Sequence, residues 1–268
     1  MRKIVFLGPH FDDCVLSCGE LIDKFADQGD DVCAITFFTG YPDEKDLSEA
    51  AKQFHSNCFL DHKSMDFRSN EDITALNWLN CKHKHLGYYE CLYRKNDKDE
   101  FLYPNLKEIY HLEHKDKELI KDISKRIEVE VADADVIFAP MGLGLHADHI
   151  ILHRAAVMAL KKIKKPIYFY EEVPYVCYYY KSRKKSNWGK NMESSLIKVS
   201  DKNWQRKLNA IKFYRSQLHI LWRNEIQRLK QLEDLTYKYS PEHAIRVWSF
   251  RGIKDDFKWQ GYKHSSIK

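Results

Sequence analysis

Two short apolar runs rich in β-branched and aromatic residues, 3–7 (KIVFL) and 32–38 (VCAITFF), bracket a single stretch of helical period, and nothing else in the chain constrains its fold as tightly. Between them Val15, Leu16, Leu21, Ile22, Phe25 and Ala26 fall on one helical face, and Gly29 supplies the stop. Strand, helix and strand in so short a span make a β-α-β unit, which demands parallel strands and a right-handed crossover. The pattern returns later: Asp133-Ala134-Asp135 leads into a strand at 136–140 (VIFAP), 149–160 has helical period, and 166–170 (PIYFY) reads as a fourth strand. The alternation predicts an α/β fold, an open, mostly parallel sheet with helices on both faces.

Residues 94–114 are charged and aromatic without a clear period and are expected to form an insertion on the rim of the sheet. A long helical pattern runs from Trp204 to about Leu235, and the last thirty residues look irregular. With no repeat, low-complexity segment or linker, residues 1–268 are expected to form a single domain. At 44% hydrophobic and 31% charged residues, the composition excludes disordered and fibrous classes. No apolar run approaches bilayer length and the first ten residues carry no leader pattern, so a cytoplasmic chain without a membrane span is expected. The seven cysteines are odd in number and form no CxxC pair, which points to reduced thiols. Cys14 and Cys18, one helical turn apart, read as small packing residues, with a metal role as the sharper alternative. The net charge of +5 gathers in the basic runs 161–165 and 181–185, either solvated faces or an attraction for an anionic substrate. No nucleic-acid-binding motif is present, and the oligomeric state is left open.

Ligands of open parallel sheets bind at the carboxyl ends of the strands. There, His10, Asp12 and Asp13 follow the first strand, and Gly142-Leu143-Gly144-Leu145-His146-Ala147-Asp148-His149 follows the strand at 136–140. Either cluster alone has an ordinary explanation, an Asp-Asp helix cap or a surface His pair. Both on one sheet edge make a metal-site pattern. His10, Asp13 and His149 form a His₂Asp set that suits Zn²⁺ with an open position, and suits Fe²⁺ as well. Asp12 is then free to act as general base, His146 to polarise a carbonyl or protonate an amine, and Asp148 to orient a ring from behind.

These stretches resemble a known family. KIVFLGPHFDDCVLSCGELI is similar to the (A/P)HPDD signature of the LmbE/PIG-L family of metal-dependent N-deacetylases, and GLGLHADHIILHRAA to its HxDH signature. RSNEDITAL, HLGYYECLYR, FYEEVPY and KLNAIKFYRSQ resemble further family elements in matching order across residues 2–220. The resemblance implies a Rossmann-like, LmbE-like fold and zinc-dependent hydrolysis of an N-acyl group, usually acetyl, from an amino sugar or sugar conjugate. It also implies His10, Asp13 and His149 as metal ligands, Asp12 as general base, His146 as oxyanion stabiliser and Arg68 as a substrate contact. Phe11 replaces the proline of the first signature and is expected to reshape the pocket wall; Gly144 stands where some members place a tyrosine that assists the oxyanion, so this chain either lacks that assistance or draws it from Tyr88, Tyr89 or another residue.

Glu90, Arg94 and Glu172 join Arg68 as candidates for gripping sugar hydroxyls or a phosphate, with plain ion pairs as the alternative. Residues 175–180 (YVCYYY) offer a stacking surface or a half-buried strand. Two rival functions remain: an amide or ester hydrolase acting on a non-sugar metabolite, and a non-catalytic sugar- or metal-binding member of the same fold. A nucleotide-binding module is disfavoured, because no GxGxxG follows the first strand and the acidic pair there repels a pyrophosphate.

Overall fold

β1 (Lys3–Gly8) takes the centre of the sheet because Ile4, Val5, Phe6 and Leu7 present apolar side chains to both faces, and all four are fully buried. The computed structural model describes residues 1–43, 45–58, 64–110, 116–181, 191–238, 240 and 242–251. Around β1 lie β2 (Asp31–Phe38) and β3 (Lys82–Tyr88) on one side, and β4 (Val136–Pro140) and β5 (Ile167–Tyr170) on the other, all parallel. β6 (Met192–Lys198) and β7 (Ala244–Phe250) complete the order β3-β2-β1-β4-β5-β7-β6, with β7 antiparallel to both neighbours. The mostly parallel α/β sheet is thus present.

α1 (Asp13–Asp27) packs on α7 (Asp201–Ile211), which also meets α3 (Ser64–Trp78), whereas α4 (Lys117–Glu130) packs on α5 (Ala147–Leu160). Crossovers β1-α1-β2 and β4-α5-β5 run outward in opposite directions, so their right-handedness puts these groups on opposite faces. The strand order reverses between β1 and β4, and the crevice opens at their carboxyl ends.

The carboxy-terminal region departs from expectation twice. The pattern from Trp204 is not one helix but α7, α8 (Arg215–Leu221) and α9 (Glu225–Tyr237). Backbone at Tyr214 (ψ 54°) and Trp222 (φ −138°, ψ 138°) leaves the helical region. Side chains hold the breaks: Glu71 accepts from the Ser216 amide and hydroxyl, and Asn224 caps α9 by accepting from the Gln227 amide. Apolar periodicity survives such a break because each piece still faces the core. The tail expected to be irregular contains β7, whose Arg246 and Trp248 both donate to Glu171.

The region 94–114 is more than a rim loop. Among its described residues Tyr103 is fully buried in a second apolar cluster with Phe11, Met65, Leu92 and Ile109; residues 111–114 lie outside the described residues. The tyrosine-rich stretch begins a helix, α6 (Tyr175–Lys181), and is not a strand. All seven cysteines are free thiols, and Cys14 and Cys18 sit in the main core as packing residues. Of the basic runs, Lys162 pairs with Glu128 and Lys165 donates to the Ala132 carbonyl, while residues 182–185 lie outside the described residues. No helix among the described residues is long and apolar enough to cross a membrane.

Candidate metal and catalytic site

The loop after β1 turns on itself: the His10 amide donates to Asp13 Oδ2 at 2.9 Å. The same carboxylate oxygen lies 3.2 Å from His10 Nδ1 and 3.3 Å from Nε2 of His149, which the first turn of α5 projects from across the crevice. The three ligand atoms lie within 4.8 Å of one another. Behind each ring stands a carboxylate. His10 Nε2 is 3.0 Å from Asp148 Oδ2, and His149 Nδ1 is 3.2 Å from Glu172 Oε1. A neutral ring that donates backwards to its carboxylate turns a bare nitrogen lone pair forwards, the arrangement found behind metal-bound histidines.

The fit to a cation is tested by His149 Nε2, which is fully buried and has no hydrogen-bond partner among the described residues. An orphaned acceptor beside another acceptor, Asp13 Oδ2, is costly unless positive charge sits between them. The titration of the site agrees. Burial opposes charge on His10 and His149, yet the facing carboxylates outweigh it and raise both pKa values. Burial likewise disfavours ionised Asp13, but His149 and His10 hold its carboxyl down at about 2. A second grouping, His10, His146 and Asp148, is less suited, since Asp148 already accepts from the Arg94 guanidinium and the Cys91 amide.

Asp12 occupies the N-cap position of α1, but its side chain makes no capping hydrogen bond. It faces a cavity of about 400 Å³ whose floor includes His10, Asp13 and His146. Burial, reinforced by the charge of Asp13, pushes its carboxyl up to about 7, so two adjacent aspartates are driven to opposite ends of the carboxylate range. His146 caps α5: its Nδ1 accepts from the Asp148 amide at 3.3 Å, which leaves the ring proton on Nε2, 3.9 Å from the Cys91 thiol. Burial, helped by His10, pushes its pKa down to about 3 and makes it a neutral N–H donor.

The four residues expected to grip substrate divide into two pairs. Arg68 and Glu90 line the cavity and are joined at 2.6 Å. Glu172 and Arg94 do not face it, and the expectation that they hold substrate is corrected. Glu172 is fully buried behind His149, accepting from the amides of Met141, Gly142 and Leu143. Arg94 lies behind Asp148, held also by Asp116 and the Tyr89 carbonyl. Phe11 is likewise not a cavity wall: it is 2% exposed, with its ring against His85 and under the Arg68 guanidinium.

Residues 5–160, more than half of the chain, match the family described as PIG-L: GlcNAc-PI de-N-acetylase. The chain belongs to the PIG-L family. It is 27% identical over 190 residues to a 2'-N-acetylparomamine deacetylase of Niallia circulans, covering 65% of this chain and 68% of that one. Among solved structures it is similar to the zinc-inhibited form of teicoplanin deacetylase Orf2, with a TM-score of 0.82 and 23% identity over 92% of this chain and 97% of that one. The N,N'-diacetylchitobiose deacetylase of Pyrococcus horikoshii aligns at a TM-score of 0.56 and 20% identity, covering 92% and 83%. At these identities the structural likenesses speak for the fold.

Sequence reasoning missed two features of this PIG-L chain. Tyr110 lines the cavity, beside Tyr175 and Tyr178 of the stretch expected to offer a stacking surface, and the bracing carboxylate behind His149 is Glu172, whose stretch FYEEVPY was legible as a motif but not as a direction. Tyr88 and Tyr89, the tyrosines expected to compensate for Gly144, are not among the cavity-lining residues: the Tyr88 hydroxyl donates to Asp122, and Tyr89 is exposed.

Proposed function

We propose that the chain is a metal-dependent hydrolase that removes an N-acyl group, acetyl in the first instance, from an amino sugar or sugar conjugate. His10, Asp13 and His149 would hold the metal, and zinc is the cation we assign to a His₂Asp set with histidines braced by carboxylates. The observation that carries this reading is the buried, partnerless His149 Nε2 facing Asp13 beside a cavity that also receives Asp12. When bound, a divalent cation supplies Lewis acidity to an acyl oxygen and makes water more acidic.

The chain's own groups then move the protons. Asp12 accepts a proton from the water that attacks the acyl carbon, and the positive field of a neighbouring cation favours its ionised form. His146, neutral and protonated on Nε2, donates to the acyl oxygen as charge grows there. The carbon–nitrogen bond breaks as the proton held by Asp12 passes to the amine, leaving a carboxylate and a free amino group. Arg68, paired with Glu90 in the cavity lining, is the residue we assign to a substrate contact. Among the described residues Arg68 is the one Lys or Arg side chain lining the cavity, and it is paired with Glu90. Leu106, Ile109, Tyr110, Ile220 and Leu221 form an apolar side of the cavity, with room for an apolar substituent next to the sugar.

The test is acetate release from 2'-N-acetylparomamine and N,N'-diacetylchitobiose by purified protein. Turnover should disappear with a chelator and return with zinc. Turnover that survives complete metal removal would sink the reading.

A further inference from the structure

Gly144 has φ +83°, and a Cβ built there would lie 2.3 Å from Cδ1 of Tyr175. The bare glycine is what allows the tyrosine ring, at the first turn of α6, to lie over this loop. From there the ring edge meets His149, with centroids 5.1 Å apart and planes at 82°. His146 meets the same imidazole at 5.4 Å, so both side chains pack against His149, and both line the cavity with Asp12 and Asp13. Among the described residues no group is hydrogen-bonded to the Tyr175 hydroxyl. With no partner there, the hydroxyl is a donor free to meet a group in the cavity that the ring lines.

We propose that the Tyr175 hydroxyl donates a hydrogen bond to the substrate's acyl oxygen as that oxygen takes up negative charge, and that residue 144 is bare to admit the ring. The proposal rests on the deacetylase reading above. It gives the reaction two donors, His146 from the cap of α5 and Tyr175 from α6, both packed against one proposed ligand imidazole.

Tyr175→Phe removes only the hydroxyl and keeps the ring against His149 and Gly144. Metal content and melting temperature should match wild type, while kcat for acetate release from 2'-N-acetylparomamine or N,N'-diacetylchitobiose falls on the order of 10²-fold with KM little changed. Affinity for the methylphosphonamidate of glucosamine, a tetrahedral mimic of the reacting amide, should fall by the same factor as kcat/KM. Gly144→Ala, which drives a methyl into the ring, should reproduce the loss of kcat. A Tyr175→Phe enzyme with wild-type kcat, or one whose defect lies in KM alone, overturns the proposal and leaves the deacetylase reading standing. Wild-type protein that turns over neither compound and does not bind the mimic overturns both.

Discussion

Asp12 and Asp13 are chemically identical neighbours, and what separates them is direction. Asp13 is turned into a cage of two imidazoles and a backbone amide, and Asp12 into the cavity, where burial and its neighbour's charge favour its protonated form. Replacing Asp12 with Asn should leave metal binding intact and lower kcat by about 10²–10⁴-fold, the usual contribution of a positioned base; a variant with wild-type turnover would remove Asp12 from the chemistry. Glu172 argues at the same scale. Glu172→Gln keeps the shape but withdraws the charge behind His149, and zinc affinity measured against a chelating dye should fall about 10–100-fold. Motif and strand position were enough to bring His10, Asp12, Asp13, His146 and His149 together on the page. Glu172 and Arg94 were misplaced because residue type announces a charge and not where it points. The amides of residues 141–143 decide that for Glu172, and Asp148 and Asp116 for Arg94.

Elements were legible where periodicity and punctuation agree. The β1-α1-β2 unit and the β4-α5-β5 unit were read directly, since their strands are continuous buried apolar runs separated by stretches of helix length. The long pattern after Trp204 misled because three short helices on one core keep a common period, and only side chains from elsewhere, such as Glu71 at Ser216, mark the breaks. β7 was missed because Arg246 and Ser249 interrupt the apolar run of AIRVWSF; it pairs with the open edge of β5. A pH prediction belongs to α5. His153, half-buried against Phe169, donates to the Pro140 carbonyl, and burial pushes its pKa down to about 4. A histidine depressed in the fold contributes stability above its unfolded pKa of about 6.5 and loses it as pH falls towards 4. Urea melts should therefore show a loss on the order of 3 kcal/mol across that window. The loss should be smaller in His153→Gln, and identical acid profiles for the two proteins would contradict the assignment.

For the whole molecule, the sheet order explains why the proposed metal ligands converge where they do. Crossovers leave β1 and β4 in opposite directions, so the loops after both strands open into one crevice; one supplies His10 and Asp13, the other His149. The two carboxylates behind the rings tie that crevice to the rest of the fold, Asp148 through Arg94 and Cys91, Glu172 through the loop after β4. A cation there joins two halves of the sheet and should raise the melting temperature when added to chelator-treated protein. The measurement to make first is calorimetric titration of zinc into chelator-treated wild type, Asp12→Asn and His149→Ala. Wild type and Asp12→Asn should each take up about one equivalent with similar affinity, and His149→Ala should bind far more weakly. Equal binding by all three, or none by wild type, would contradict the assignment of His10, Asp13 and His149 as the ligands.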